Sequence, residues 1–273
     1  MTTDHAPVDT ADPRSPSVPA VGKASLIQDT WTMTRRDMVR TRRQPEMLFF
    51  GVIMGVFFLL LFYWVFGGAI SAGTGVDYVQ YLVPGIFIIT AVVGAQQTGT
   101  GLAVDLSEGV TDRFRSLPMS QWAVIAGRTV GDSLRNAAGI VLVAAFGYLL
   151  GFRFASIAHG VAAVLIAVAL GYAFSWANAA IAAAVKSPEM VGMLSMFWLF
   201  PLMLASTIFT PVQQMPGWLQ GFATWQPLSV GAQATRQLSN GVAAGESVAW
   251  TIGWIIVISA ISVPLSMAGY KKQ

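Results

Sequence analysis

Apolar residues gather in six long runs, at 47–66, 81–104, 124–150, 160–185, 190–210 and 249–267, separated by polar joints. Each has about the 20 residues a helix needs to cross a hydrocarbon core. With no water to satisfy exposed backbone groups, such runs predict membrane helices. Two joints are longer than a simple turn requires. One, over 105–120, reads DLSEGVTDRFRSLPMS and is densely charged. The other, over 211–248, is moderately apolar but broken by Pro211, Pro216 and Pro227. It predicts short helices that dip into the outer leaflet or cap an outer mouth.

The ends differ in character. Residues 1–24 carry four prolines among Asp, Thr and Ser and offer little to bury, so a disordered tail is expected. Ser25 and Gln28 have capping-box spacing. Beyond them Ile27, Trp31, Thr34 and Met38 recur at helical intervals beside Arg35, Arg36, Arg40, Arg42 and Arg43. A basic amphipathic helix over 25–46 would lie in the membrane interface, with Trp31, Arg35, Arg36 and Arg40 at the headgroups. Pro45 would end it. Residues 269–273 form a short basic terminus.

Composition agrees with the pattern. Apolar residues make up 55% of the 273 positions and charged residues 11%, against roughly 25% in soluble domains. The net charge of +3 matters through its placement. Seven of the 16 basic residues precede the first run, and Arg113, Arg115, Lys186, Lys271 and Lys272 fall on the same side. Arg128 and Arg135 sit at that end of the third run, leaving Arg153 and Arg236 opposite. The excess of Lys and Arg predicts a multi-pass protein of the cytoplasmic membrane with both termini inside. Tyr63, Trp64, Trp122 and Trp250 fall at run ends and fit interfacial belts. Anionic lipid headgroups, rather than nucleic acid, are the economical partner for the N-terminal basic stretch.

The charged joint admits two readings. Between Gly109 and Pro118, Phe114 and Leu117 are three apart and share a helical face, with Asp112, Arg113 and Arg115 around them. Two apolar knobs with a charged rim suit insertion into a partner's groove; an ordinary solvated loop fits equally. Just beyond, Arg128, Asp132 and Arg135 fall on one helical face at i, i+4 and i+7. Local pairing would reduce the cost of keeping those charges near the bilayer.

The run EGVTDRFRSLPMSQWAVIAGRTVGD resembles the segment that marks ABC-2 type permeases, in particular the daunorubicin-resistance (DrrB-like) branch. The similarity extends from the interfacial helix to the sixth run. It implies an all-α membrane protein with six transmembrane helices behind an N-terminal interfacial helix, the ABC-2 (type V exporter-like) permease fold, over 47–268. It further implies that the 105–121 loop is a coupling element docking on a separate ATP-binding subunit. Glu108, Gly109, Asp112, Arg113, Phe114, Arg115, Leu117 and Pro118 would form that site. Two permease copies, as a homodimer, would join two ATP-binding subunits, which would hold ATP and magnesium; none is expected on this chain. The cargo implied is a hydrophobic drug, antibiotic or lipid-like metabolite. The 211–248 segment resembles the family's outer hairpin, except that Gln226-Pro227 stands where Asn-Pro is usual.

Polar residues inside the runs are few. Gln96, Gln97, Thr100, Ser175, Asn178 and Ser206 are candidates for a translocation path, with Met196 in the Met193, Met196, Met203 group as an adaptable apolar contact. Helix–helix packing by small and weakly polar residues explains the same positions. No acidic residue lies deep in a run, which argues against a proton relay. Cysteine is absent, and His5 and His159 share no neighbourhood, so no metal site is expected. Gly22-Lys23-Ala24 is not a phosphate loop, and no HExxH, GxSxG or paired carboxylates occur. No catalytic residue is assigned. The competing function is a membrane scaffold that recruits a cytosolic partner without transporting anything.

Overall fold

The computed structural model describes residues 45–74, 77–107, 121–185 and 187–271. Of the amphipathic helix expected over 25–46, residues 25–44 lie outside the described residues, as does most of the charged joint, 108–120. Among the described residues, eight α-helices follow in order: α1 (Pro45–Thr74), α2 (Tyr78–Ser107), α3 (Gln121–Leu149), α4 (Ile157–Val185), α5 (Pro188–Leu204), α6 (Gly217–Trp225), α7 (Pro227–Ser239) and α8 (Gly245–Lys271). A 3-10 turn, Val212–Gln214, precedes α6. Among the described residues there is no strand. Tyr78–Ser107, Ile157–Val185 and Gly245–Gly269 are long and apolar enough to cross a membrane, while the apolar stretches Ile53–Gly68 and Pro188–Leu204 are shorter.

The centre of the bundle is α2, which packs on α1, α3, α4, α5 and α7. Small residues explain its burial. At Gly171 of α4 an added Cβ would stand 2.9 Å from the Ala91 Cβ, and at Gly99 one would stand 2.8 Å from the Asn178 carbonyl. Backbones that approach this closely gain dispersion contacts that bulkier residues would prevent, which is how helices associate when lipid is as apolar as they are. Ala95, Ala163, Ala167 and Ala179 continue the seam, all fully buried. The outward faces remain apolar: Trp64, Phe197, Leu165 and Ile256 are largely exposed, as suits contact with acyl chains.

Local chemistry sets the helix ends. The Asp77 carboxylate accepts from the backbone N–H of Val79 at 3.0 Å and caps α2, while Ser187 caps α5 ahead of Pro188. Gly151, at φ 105°, supplies the left-handed turn after α3 that an L side chain would resist. The fifth apolar run, expected to be helical over 190–210, departs from expectation. Its helix stops at Leu204, and residues 205–210 continue as an irregular strap, tied back to the helix by the N–H of Ala205 on the Pro201 carbonyl and that of Ser206 on the Met203 carbonyl. Pro201 lies inside the last turn, and the Ser206 hydroxyl takes the Met203 carbonyl at 2.6 Å, competing with the backbone ladder.

Candidate functional site

Both α1 and α5 lie on α2, and the gap between them is a cleft of about 260 Å³. Met54 and Phe58 of α1 form one wall; Met196, Leu199, Phe200 and Met203 of α5 form the other. Thr90, Val93, Gln96 and Gln97 of α2 make the floor. Gly55 lets α1 approach that floor, because a Cβ there would stand 2.8 Å from the Thr90 hydroxyl. The walls are thioether and aromatic, soft surfaces that adapt to varied apolar shapes. Two carboxamides and one hydroxyl supply the few polar groups that orient a ligand.

Polar bonds join α2 to the α5 segment at each end of this cleft. Toward the N-terminus of α5, the Gln96 carboxamide donates to the Gly192 carbonyl at 3.0 Å. Beyond the C-terminus of α5, the strap is held almost entirely by side chains. Arg236 of α7 donates through Nη2 to the carbonyls of Thr207 (2.6 Å) and Ile208 (3.0 Å), and through Nε to that of Tyr81 (2.8 Å). Tyr81 donates its hydroxyl to the Thr207 carbonyl at 2.5 Å, and Tyr78 to that of Phe209 at 3.0 Å. Ser229 accepts from the Thr207 N–H at 2.9 Å. Buried backbone groups outside a helix need replacement partners, which these side chains supply. Burial pulls the pKa of Arg236 below the ordinary arginine value.

The sequence-derived path residues divide. Gln96, Gln97 and Met196 meet in the cleft. Thr100 lies one turn along α2 from Gln96, and its methyl group would contact a Cβ at Gly192. Ser175 and Asn178 face the α2–α4 seam, where Thr98 donates to Ser175 at 3.3 Å. Ser206 is buried in the strap. Met203 lines the cleft, whereas Met193 is 73% exposed on the outer surface of α5. Glu108, Gly109, Asp112, Arg113, Phe114, Arg115, Leu117 and Pro118, and likewise Trp31, Arg35, Arg36 and Arg40, fall outside the described residues.

The charges at the start of α3 pair differently from a simple ladder. Asp132 binds Arg135 at 2.6 Å, but Arg128 reaches across to Asp105 at the end of α2. The guanidinium lies against Gly101, where a Cβ would collide with it. Asn136, one turn on from Asp132, donates to the Ala91 carbonyl at 3.2 Å and occupies the space left by Gly94. Among the described residues, no group of three or more His, Cys, Asp or Glu side chains is placed to hold a metal ion.

Sequence reasoning does not single out Tyr78 or Tyr81, and it marks Arg236 only as a basic residue on the outer side. A lone arginine among Leu228, Gly231, Ala232 and Thr235 was the available signal, since a charge surrounded by small apolar residues needs a buried partner. Gln226 resolves the departure from Asn-Pro. It makes no side-chain cap on α7; it donates instead to the Leu202 carbonyl at 2.8 Å, a group left free by the end of α5.

Comparison with known proteins agrees with this arrangement. The sequence profile of the family described as ABC-2 type transporter matches residues 28–239, most of the chain. The daunorubicin resistance ABC transporter permease protein DrrB1 of Streptomyces coeruleorubidus is 34% identical over 100% of this chain and 99% of its own length. The doxorubicin resistance ABC transporter permease protein DrrB of Mycobacterium tuberculosis is 26% identical over 74% of each chain. With its apolar helices, its length and its profile match, this multi-pass membrane chain belongs to the ABC-2 type transporter family.

Proposed function

We propose that the chain is the permease half of an ATP-driven exporter that moves hydrophobic or amphipathic compounds out of the cell. The observation that carries this reading is the α1–α2–α5 cleft, apolar on both walls and carrying Gln96 and Gln97 on its floor. A small drug-like molecule suits such a surface, whereas an ion would find no charged group among the described lining residues. The names of the relatives, daunorubicin and doxorubicin resistance permeases, point to the same cargo class.

In this reading the helices α1, α2, α3, α4, α5 and α8 are six membrane spans, entered from an interfacial helix over 25–46, with both termini cytoplasmic. The protein sits in the cytoplasmic membrane. The 105–121 loop is the coupling element, and Phe114 and Leu117 press into a separate ATP-binding subunit that holds ATP and magnesium. Two permease copies and two ATP-binding subunits make the working unit. A ligand shared by two states shifts neither, so ATP must bind one arrangement of the subunits better and drive the loop with it.

The test is daunorubicin uptake into inverted vesicles containing this chain and its ATP-binding subunit. Uptake that needs ATP and both proteins supports the reading. Equal uptake without the permease would overturn it.

A further inference from the structure

We propose that Arg236, with Tyr81 and Tyr78, forms a polar latch that closes the outer end of the cleft, and that the strap over 205–210 must leave this latch for cargo to escape. The proposal rests on the exporter reading above but concerns a different part of the molecule. Its basis is the hydrogen bonding of the strap. The carbonyls of Thr207, Ile208 and Phe209 are all taken by side chains of α2 and α7, and the Thr207 N–H is taken by Ser229. The carbonyl of Leu202, at the end of α5, is taken by Gln226. Backbone bonds within a helix break only if the helix unwinds. Bonds from side chains can be given up by a rigid shift of one element, and the released carbonyls can then turn to water.

Arg236 is the pin. Its guanidinium is buried, no carboxylate among the described residues pairs with it, and it sits 3.6 Å from the centroid of the Tyr81 ring. The charge is balanced by carbonyl dipoles just past the C-terminus of α5 and by the face of an aromatic ring. That balance exists only while the strap is in place. Gly85 permits the approach, since a Cβ there would stand 2.9 Å from the Ile208 carbonyl and 3.2 Å from Arg236 Nη2. A planar fork that bridges three carbonyls cannot be replaced by an ammonium, which offers a point charge without the fixed geometry.

The position of the latch gives it a function. It ties the outer end of α2 to the chain leaving α5, and those two helices form the floor and one wall of the cleft. At the other end Gln96 makes the corresponding tie to Gly192. An exporter that exposes its cleft first inward and then outward needs one of these ties to open while the other holds.

The test uses the chain's lack of cysteine. Ile208→Cys keeps the backbone bonds of the strap and places a thiol at a fully buried position. In the complex with its ATP-binding subunit, a membrane-impermeant maleimide should label this thiol slowly at rest. During ATP turnover the rate should rise about tenfold or more, the scale set by loss of charge-assisted hydrogen bonds. Arg236→Lys should raise the resting rate toward the turnover rate. Tyr81→Phe, which removes one hydroxyl and keeps the ring, should do so to a smaller extent and serves where the arginine variant folds poorly. Fast labelling at rest would overturn the proposal, as would a rate indifferent both to ATP and to these substitutions. The readout involves no cargo, so it stands whatever compound the complex carries.

Discussion

Glycine 171 and alanine 91 meet at the centre of the bundle, and the distance between them fixes how α2 and α4 pack. A Cβ at Gly171 would stand 2.9 Å from the Ala91 Cβ and 3.0 Å from its carbonyl oxygen, atoms that can move only if the helices separate. Gly171→Val should therefore lower stability by about 1–3 kcal/mol, the usual cost of overpacking. Thermal unfolding in detergent would show a lowered midpoint, and an unchanged midpoint would mean that the seam tolerates separation. Asp105 and Arg128 act at the same scale, joining the ends of α2 and α3 on either side of the charged loop. Each is partly exposed, with side-chain exposure of 23% and 16%. Asp105→Arg or Arg128→Asp alone should reduce folded yield and transport. The double reversal should restore part of both, because each single reversal sets like charges against each other and the double one brings opposite charges together again. No recovery in the double variant would show that the two side chains act separately.

At the scale of elements, the helices long and apolar enough to cross a membrane, α2, α4 and α8, were legible because such helices must satisfy their own backbone, so hydropathy alone marks them. The end of α5 was not legible. Residues 205–210 (ASTIFT) extend the apolar run without a proline or charge to mark a break, and what holds them out of helical form is the set of donors supplied from distant parts of the chain: Tyr78, Tyr81 and Arg236. The same limit applied to the candidate path. Gln96, Gln97, Ser175 and Asn178 look alike as polar residues in apolar runs. Only packing separates the first two, in the cleft, from the last two, in the α2–α4 seam. This division makes a prediction. Met203→Trp, which fills the outer part of the cleft, should reduce daunorubicin transport several-fold while leaving expression and association with the ATP-binding subunit unchanged. Transport at the original rate would show that the cleft is not on the path.

For the whole molecule, the proposed mechanism joins an apolar cleft, an outer latch and a cytoplasmic loop that grips a partner. The family assignment rests on a match along most of the chain, and the cleft is consistent with it. The central proposal is that a separate ATP-binding subunit drives this chain through Phe114 and Leu117. The most direct measurement is co-purification of the two proteins from detergent-solubilised membranes, with ATP hydrolysis and daunorubicin transport assayed on the eluate for the natural chain and for Phe114→Asp/Leu117→Asp. The account predicts a co-eluting, transport-competent complex for the natural chain, and a doubly substituted chain that inserts normally but loses transport. A substituted chain that binds its partner and transports at the original rate would contradict it.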